Sequence, residues 1–516
     1  MSVLSDPFSR RKALGVLAGV GLVTAGCKVQ TTSDAGGPAP AGADKAEIKL
    51  PKPVSKLPTE SVNYRGMMSG GIKAPYFDAV WKAFHGAHDN IALQLDTLPW
   101  DKINEAIPLG VRNKTAPDLF QMPNNVPVGV AVSEGWVAAL DDIIPDFESW
   151  KKAYPTTAFI PGVHVFDGKT YSWTFTSNKS QYGGLMFFDS TLMSAAGYDP
   201  VKERFTTDTL REAAKKITKN GNGKAYGLLI AGPALGGVAM NLASLAGMPG
   251  NEMDPKTGQY NYTNPLLREA IDQLLAIKSD GSFFPGMLSL PSQDAADQRM
   301  VQGVAGITFD GAWNVPNWKD LAPEYQYGVA KPPTPADKSE NKVGYVEGTA
   351  APLFAYKESK YPTITGELLR YMGSVDGQIQ LGLMTGGLFS SEIEEVNDKV
   401  QNSSLLSGHA KEAADIMTEL RVTLPLPQVG NPDVSQVILQ QKAVTPTFAD
   451  VVQGIMTGQI KDIDAALRDL QSRSDKSLDD AIAAARKKGA KVSREDWAFS
   501  NWEQGKDYTP EDYDQR

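Results

Sequence analysis

His85 and His88 stand three residues apart, a spacing that on a helix puts two imidazoles on one face. A structural zinc site takes about four nitrogen or sulfur ligands. The chain offers only two more histidines, His164 and His409, and one cysteine, Cys27, all far away in sequence, so the pair reads as solvated surface and no metal site is expected. Nucleophilic chemistry has no better footing. No Gly-x-Ser-x-Gly elbow occurs, and Ser149-x-x-Lys152 matches Ser-x-x-Lys inside a polar stretch. Gly221-Asn222-Gly223 lacks the Gly-Lys-Ser/Thr of a phosphate loop and follows a helix rather than a strand. The adjacent carboxylates Asp141-Asp142 and Asp479-Asp480 are too ordinary to imply glycoside hydrolysis. Recognition chemistry remains. Asp310, Trp313 and Asn314 follow a predicted strand and combine a flat apolar ring with hydrogen-bonding groups. Such a set suits a ligand that presents both an apolar face and hydroxyls, because each buried polar group left unpaired costs about 1–3 kcal/mol.

The elements that must position these residues alternate along the chain. Ser61–Met68 reads as a strand leaving into Ser69-Gly70-Gly71, and Ala74–His85 carries Tyr76, Val80, Trp81 and Phe84 at helical spacing. Strands follow at Ile91–Leu98, Asp118–Met122, Gly184–Phe188, Ala225–Ala231 and Val304–Phe309. Helices intervene at Asp101–Val111, Thr207–Thr218, Pro265–Ser279 and Lys360–Met372. This rhythm predicts an α/β fold built from parallel βαβ units. The last third reads as helices at Ala410–Leu420, Phe448–Met456, Ile460–Asp469 and Leu478–Lys488, with an irregular, aromatic and acidic end from Trp497.

Bulk properties narrow the class. A chain of 516 residues predicts more than one globular unit. A net charge of −9, with no basic run beyond the N-terminus, excludes phosphate-neutralising nucleic-acid binding. The N-terminus carries an address. Ser9-Arg10-Arg11-Lys12 precedes an uncharged run from Ala13 to Ala25, shorter than the roughly 20 residues that span a bilayer. It fits an export signal, and the paired arginines resemble the twin-arginine type, with Ala13 and Gly15 departing from it. Thr24-Ala25-Gly26-Cys27 resembles a bacterial lipobox with Thr24 in place of Leu, so Cys27 is expected to become the lipidated first residue of the mature chain. Residues 28–58 are rich in small and polar residues and read as a flexible tether.

Several segments, in fixed order, resemble the extracellular solute-binding proteins of family 1, the maltose-binding-protein-like receptors. They are Trp100-Asp101-Lys102 with Ala116-Pro117-Asp118-Leu119-Phe120, Asp167-Gly168-Lys169-Thr170-Tyr171 with Leu185–Asp189, Phe205-Thr206-Thr207-Asp208-Thr209-Leu210, Gln302 to Trp313, Thr385-Gly386-Gly387-Leu388-Phe389, and Phe448 to Leu467. Departures occur at Phe205, Asp208 and Phe389. The resemblance implies a two-lobed periplasmic-binding-protein-like fold of type II, with a hinge that the chain crosses more than once. With the N-terminal reading of an export signal over 1–26 and lipidated Cys27 and tether over 27–58, it implies a first lobe over 59–172 and 341–380 and a second lobe over 173–340 and 381–516.

It further implies a non-catalytic, monomeric receptor without cofactor, held by its lipid on the outer face of the bacterial membrane. The receptor would capture a carbohydrate, an oligosaccharide by preference, and deliver it to the permease subunits of an ABC importer. Ligands of open α/β sheets sit beyond the carboxyl ends of the strands. The resemblance therefore nominates Trp313, Asn314 and Asp310, Trp173 and Tyr171 at the first crossing, Tyr64 and Arg65 on the first strand, Gln121 and Asn124 after the third, Glu347 near the return crossing, and Phe389. The rival readings are the same fold holding a peptide, polyamine or iron complex, and an exported glycan hydrolase.

Overall fold

The computed structural model describes residues 48–348, 352–401 and 405–516. The arginine pair, the apolar run, Cys27 and the tether up to residue 47 lie outside the described residues.

Two four-stranded sheets organise the chain. The first orders its strands Leu353–Ala355, Leu119–Gln121, Val62–Ser69 and Ile91–Leu98. Val62–Ser69 pairs in parallel with Ile91–Leu98, from Val62 opposite Ile91 to Ser69 opposite Leu98. The second orders Tyr327–Ala330, Leu185–Asp189, Ala305–Asp310 and Tyr226–Leu228. Each sheet carries its own core. The helix Ala74–Ala87 lays Tyr76, Phe77, Val80, Trp81 and Phe84 against the first sheet. Gly66 makes this packing possible, since a Cβ there would sit 2.5 Å from the Trp81 ring. The helices Thr207–Gly221, Leu235–Leu245 and Pro265–Ser279 bury their apolar faces in the second core.

Not every pairing is parallel, as a plain βαβ reading would have it. Leu185–Asp189 runs antiparallel to both of its neighbours, and Leu353–Ala355 runs antiparallel to Leu119–Gln121. The cause is direction of entry. Leu185 opposes Asp310, and Leu353 opposes Gln121, so each of these strands starts at the edge where the parallel strands end. Each is the strand by which the chain enters a lobe from the other one, and it runs away from the seam that it has just crossed.

The crossings are not bare loops. Val343–Tyr345 pairs in parallel with Arg421–Thr423 as a separate two-stranded ribbon. The C-terminal segment is bolted to it. Tyr508 donates its N–H to the Thr423 carbonyl at 3.0 Å, Asp507 accepts from the Thr423 N–H at 2.8 Å, and the Tyr513 hydroxyl accepts from the Leu426 N–H at 2.7 Å. Phe499, Trp502 and Tyr508 bury themselves with Leu424, so the aromatic end is a packed brace.

Three expectations need correction. The tether ends before residue 58. Ile48, Leu50 and Leu57 pack on the first core, and Glu367 accepts the N–H groups of Val54 and Ser55 at 2.8 and 2.6 Å. The two helices read at 460–469 and 478–488 are one, Ile463–Lys487, because no glycine or proline interrupts it and the polar run is laced by Arg473–Asp469 and Lys476–Asp480 pairs four residues apart. Finally, Met384, Ile393, Val396 and Val400 belong to the first core, so the first lobe's return runs past the boundary drawn at residue 380.

Candidate functional site

The rims of the two sheets meet at one seam. On the first lobe the rim is made where Val62–Ser69, Ile91–Leu98 and Leu119–Gln121 end. Buried Gln121 ties two of these ends together, its side-chain oxygen accepting the Ser69 N–H at 2.6 Å. Gly70-Gly71 then turns the chain. Gly71 has φ +75°, and a Cβ there would lie 3.5 Å from the Asn317 amide, which belongs to the second lobe's helix Asn314–Leu321. Ile72 is buried in the second core rather than the first. Lys73 follows with 5% of its surface exposed and its ammonium 4.8 Å above the Phe389 ring. Burial pulls this ammonium down to about 8.

On the second lobe, Ala305–Asp310 ends in a turn that presents three predicted residues together. Asp310 is buried, accepts the Gly311 N–H at 2.8 Å and the Asn314 side-chain amide at 3.0 Å, and is hydrogen-bonded by Trp313. Trp313 is half-buried, its ring edge 3.8 Å from where a Cβ on Gly183 would stand. The helix Gln293–Met300 adds Asp294 and Asp297, three residues apart and so on one face. Asp297 hydrogen-bonds Asp310, and burial raises both carboxyls, as expected of two acids that share a proton. Gln293 braces the pair, donating to Asp297 at 3.1 Å and to Thr308 at 3.0 Å. Asp294 is raised to about 6 by burial, then by Asp310 and by Asp101 of the first lobe.

A third group forms where the crossings converge. Glu347 accepts the Ser177 hydroxyl at 2.6 Å and the Asn178 N–H at 2.8 Å, joining two crossings, while Ser177 donates its N–H to Ser390 on a third. Glu392 beside it is raised to about 7, by burial first and Glu347 second. Arg421 lies buried between the rings of Tyr182 and Tyr345, at 4.8 and 4.7 Å, and donates to the Gln181 carbonyl at 3.2 Å. The Arg421 Nε, the Tyr182 hydroxyl and the Gln181 side-chain nitrogen are buried without a hydrogen-bond partner.

The remaining nominated residues sit elsewhere. Tyr64 is fully buried, bonded to Thr365 at 2.9 Å and packed on Trp81. Arg65 pairs with Asp96 at 3.4 Å and reaches the Thr115 carbonyl. The strand runs on to Ser69, so both stand roughly 13–16 Å short of the rim at about 3.3 Å per residue. Trp173 is fully buried, its indole donating to the Tyr154 hydroxyl at 3.0 Å and its ring 5.1 Å from Trp150. Residues 172–176 are still buried, with Trp173 and Phe175 in the first core, and the crossing begins only at Ser177. Tyr171 packs on Phe166 and the first lobe's smaller core. Asn124 is exposed, held through its N–H by Asn104. Sequence reasoning missed Lys73, Asp294, Asp297 and Arg421. Only the Asp294–Asp297 spacing was readable. Lys73 and Arg421 become notable through burial, which has no local signature.

The arrangement can stack and hydrogen-bond. Among the described residues no three His, Cys, Asp or Glu side chains form a metal-binding group, and no helix is long and apolar enough to cross a membrane.

Comparison with known proteins agrees with this architecture. The bacterial extracellular solute-binding protein family matches residues 70–379. A Brucella abortus (strain 2308) protein named as a binding protein is 23% identical over 333 residues, covering 64% of this chain and 77% of its own length. Among solved structures, an ABC transporter solute-binding protein from Thermotoga lettingae with bound α-D-tagatose superposes with a TM-score of 0.61 at 18% identity, over 81% of this chain and 100% of its own. The acarbose-binding GacH receptor of Streptomyces glaucescens gives 0.59 at 16%, over 81% and 99%. The maltotriose-bound maltodextrin-binding domain of Bdellovibrio bacteriovorus gives 0.58 at 17%, over 81% and 100%. The fold is the two-lobed one of periplasmic binding proteins, and this chain belongs to the bacterial extracellular solute-binding protein family.

Proposed function

We propose that this chain is the receptor of an ABC importer, that it captures a carbohydrate, an oligosaccharide by preference, between its lobes, and that it hands the ligand unchanged to the membrane permease. The observation that carries this reading is the turn after Ala305–Asp310. There a half-buried Trp313 ring stands at the seam beside buried Asp310 and Asn314. A ring face packs on the C–H face of a sugar, and carboxyl and amide groups take its hydroxyls. Asp294, with Asp297 behind it, extends the same hydrogen-bonding surface. The solved relatives that bind tagatose, acarbose and maltotriose support the ligand class. Attachment to the outer face of the cell membrane through lipidated Cys27 completes the reading, which rests on Thr24-Ala25-Gly26-Cys27 and the basic, then apolar, run before it.

The test is a melting-temperature panel on residues 28–516 with mono- and oligosaccharides, peptides, polyamines and ferric ion. Ligand at 100 times its Kd stabilises the folded state by about 2.7 kcal/mol. A sugar that shifts the midpoint and is recovered intact is expected. Trp313→Ala should then weaken that sugar about tenfold or more. A shift with a peptide, polyamine or ferric ion alone would overturn the carbohydrate reading, and turnover of a glycan would overturn the receptor.

A further inference from the structure

The carbohydrate site just proposed leaves one charge unbalanced. Lysine is almost never buried without a partner. Lys73 is 5% exposed, and among the described residues no carboxylate, carbonyl or hydroxyl is bonded to its ammonium. Its ammonium stands over the face of Phe389, and a cation–π contact offsets only part of the desolvation of a charge. The local backbone adds to the imbalance. Lys73 is the N-cap of the helix Ala74–Ala87, whose first turn contains no acidic residue and whose N-terminus carries partial positive charge. The position is also set at the seam. Gly71 abuts Asn317 of the second lobe, and Ile72 is anchored in the second core, so the turn cannot swing Lys73 outward while the lobes are together.

A buried cation that a protein keeps without a counter-charge of its own is placed for a counter-charge that arrives with the ligand. We propose that Lys73 is a specificity-determining residue for an acidic group, and that the captured carbohydrate carries a carboxylate, as uronic acids do, which seats on the Lys73 ammonium above Phe389. The inference rests on the carbohydrate reading and narrows it. The Asp294, Asp297 and Asp310 carboxyls repel a second carboxylate and accept hydroxyls, so the two clusters together orient the sugar.

The experiment measures binding by calorimetry for matched pairs: oligogalacturonides and alginate oligomers of two to four residues, and the same oligomers with each carboxyl reduced to the neutral alcohol. The folded wild-type chain is expected to bind an acid form roughly ten- to a hundredfold more tightly than its reduced partner, the range of a charge-assisted hydrogen bond. Lys73→Met should lose that preference and bind the acid and reduced forms alike. The wild-type chain supplies a reading that does not depend on how the variant folds. Burial sets Lys73 near 8, so the preference is present at pH 6.5 and fades as pH rises past that value. Equal affinity for acid and reduced forms, or an equal loss of both in Lys73→Met, would overturn the acidic-ligand inference and leave the carbohydrate reading standing. If neither form bound and a peptide or polyamine did, both would fall.

Discussion

Asp294 shows how the seam holds its chemistry at the expense of stability. Its carboxyl is raised to about 6, chiefly because it is buried and then because Asp310 and Asp101 face it. In an unfolded chain an aspartate titrates near 3.9. At about pH 3 and below the group is almost wholly neutral in both states and makes little difference to folding. Between about 4 and 6 the folded chain keeps a proton that the unfolded chain releases, and above about 6 the folded chain carries a charge that its surroundings disfavour. Asp294→Asn should therefore leave the unfolding free energy unchanged at about pH 3 and raise it by about 1–2 kcal/mol at pH 7.5, after allowance for partial solvation. Denaturant titrations at the two pH values would check this. A loss of stability at pH 7.5 would mean that the carboxylate has a bonding partner in the folded chain. The Asp297–Asp310 pair, Glu392 and Lys73 follow the same pattern, in which burial disfavours the charged form of a group near the rims. Perturbed groups of this kind gather where ligands are held.

Among the elements, the segment 48–58 departs from the small, polar stretch that precedes it. Ile48, Leu50 and Leu57 reach the first core, and Glu367 fastens the backbone between them. That carboxylate is 4% exposed, accepts two backbone N–H groups with one oxygen, and pairs with Arg370 at 2.7 Å through the other. Arg370 in turn donates to the Lys52 carbonyl at 3.1 Å. Exchanging one carboxylate oxygen for an amide NH2 sets a donor against the partly buried Arg370 guanidinium or against the Val54 and Ser55 N–H groups. Glu367→Gln is expected to lower stability by about 2–3 kcal/mol and to speed tryptic cleavage after Lys56. Cleavage at the wild-type rate with unchanged stability would show that the apolar contacts of Ile48, Leu50 and Leu57 suffice on their own. The long helix Ile463–Lys487 is the opposite case. Its middle is polar, and it holds together because pairs four residues apart support it from outside while Leu467, Leu470, Leu478 and Ile482 bury the other side.

On the scale of the whole molecule, the contact of Gly71 and Ile72 with the second lobe is what a hinge-bending fold makes when it closes. Asn317 is the residue that Gly71 meets. Asn317→Trp puts an indole into that contact and should hold the lobes apart. Small-angle scattering is expected to show the radius of gyration falling when ligand is added to wild type and staying constant in the variant. Affinity should drop about tenfold, since the binding-competent form becomes rare. An unchanged scattering response would place the closing contact elsewhere.

Much of this was already legible along the chain. Periodicity located most strands and helices of both sheets to within a few residues, because alternation and helical spacing are local properties of which side meets the core. The run from Gln302 to Trp313 was similarly readable, since Asp310, Trp313 and Asn314 are presented by one strand and the turn that ends it. Tertiary structure decided the rest. Tyr64 and Trp173 have the side chains of a binding site, yet their positions along strand and crossing deliver them to the first core. Lys73 and Arg421 are ordinary basic residues until two lobes close over them. Asp297 and Asp310 come from separate elements, and Glu347, Ser177 and Ser390 lie on three different crossings. Whether a side chain is a core residue, a latch or a ligand contact depends on which distant segments enclose it. Burial and proximity of that kind are properties of the folded chain, and no spacing within a single segment encodes them.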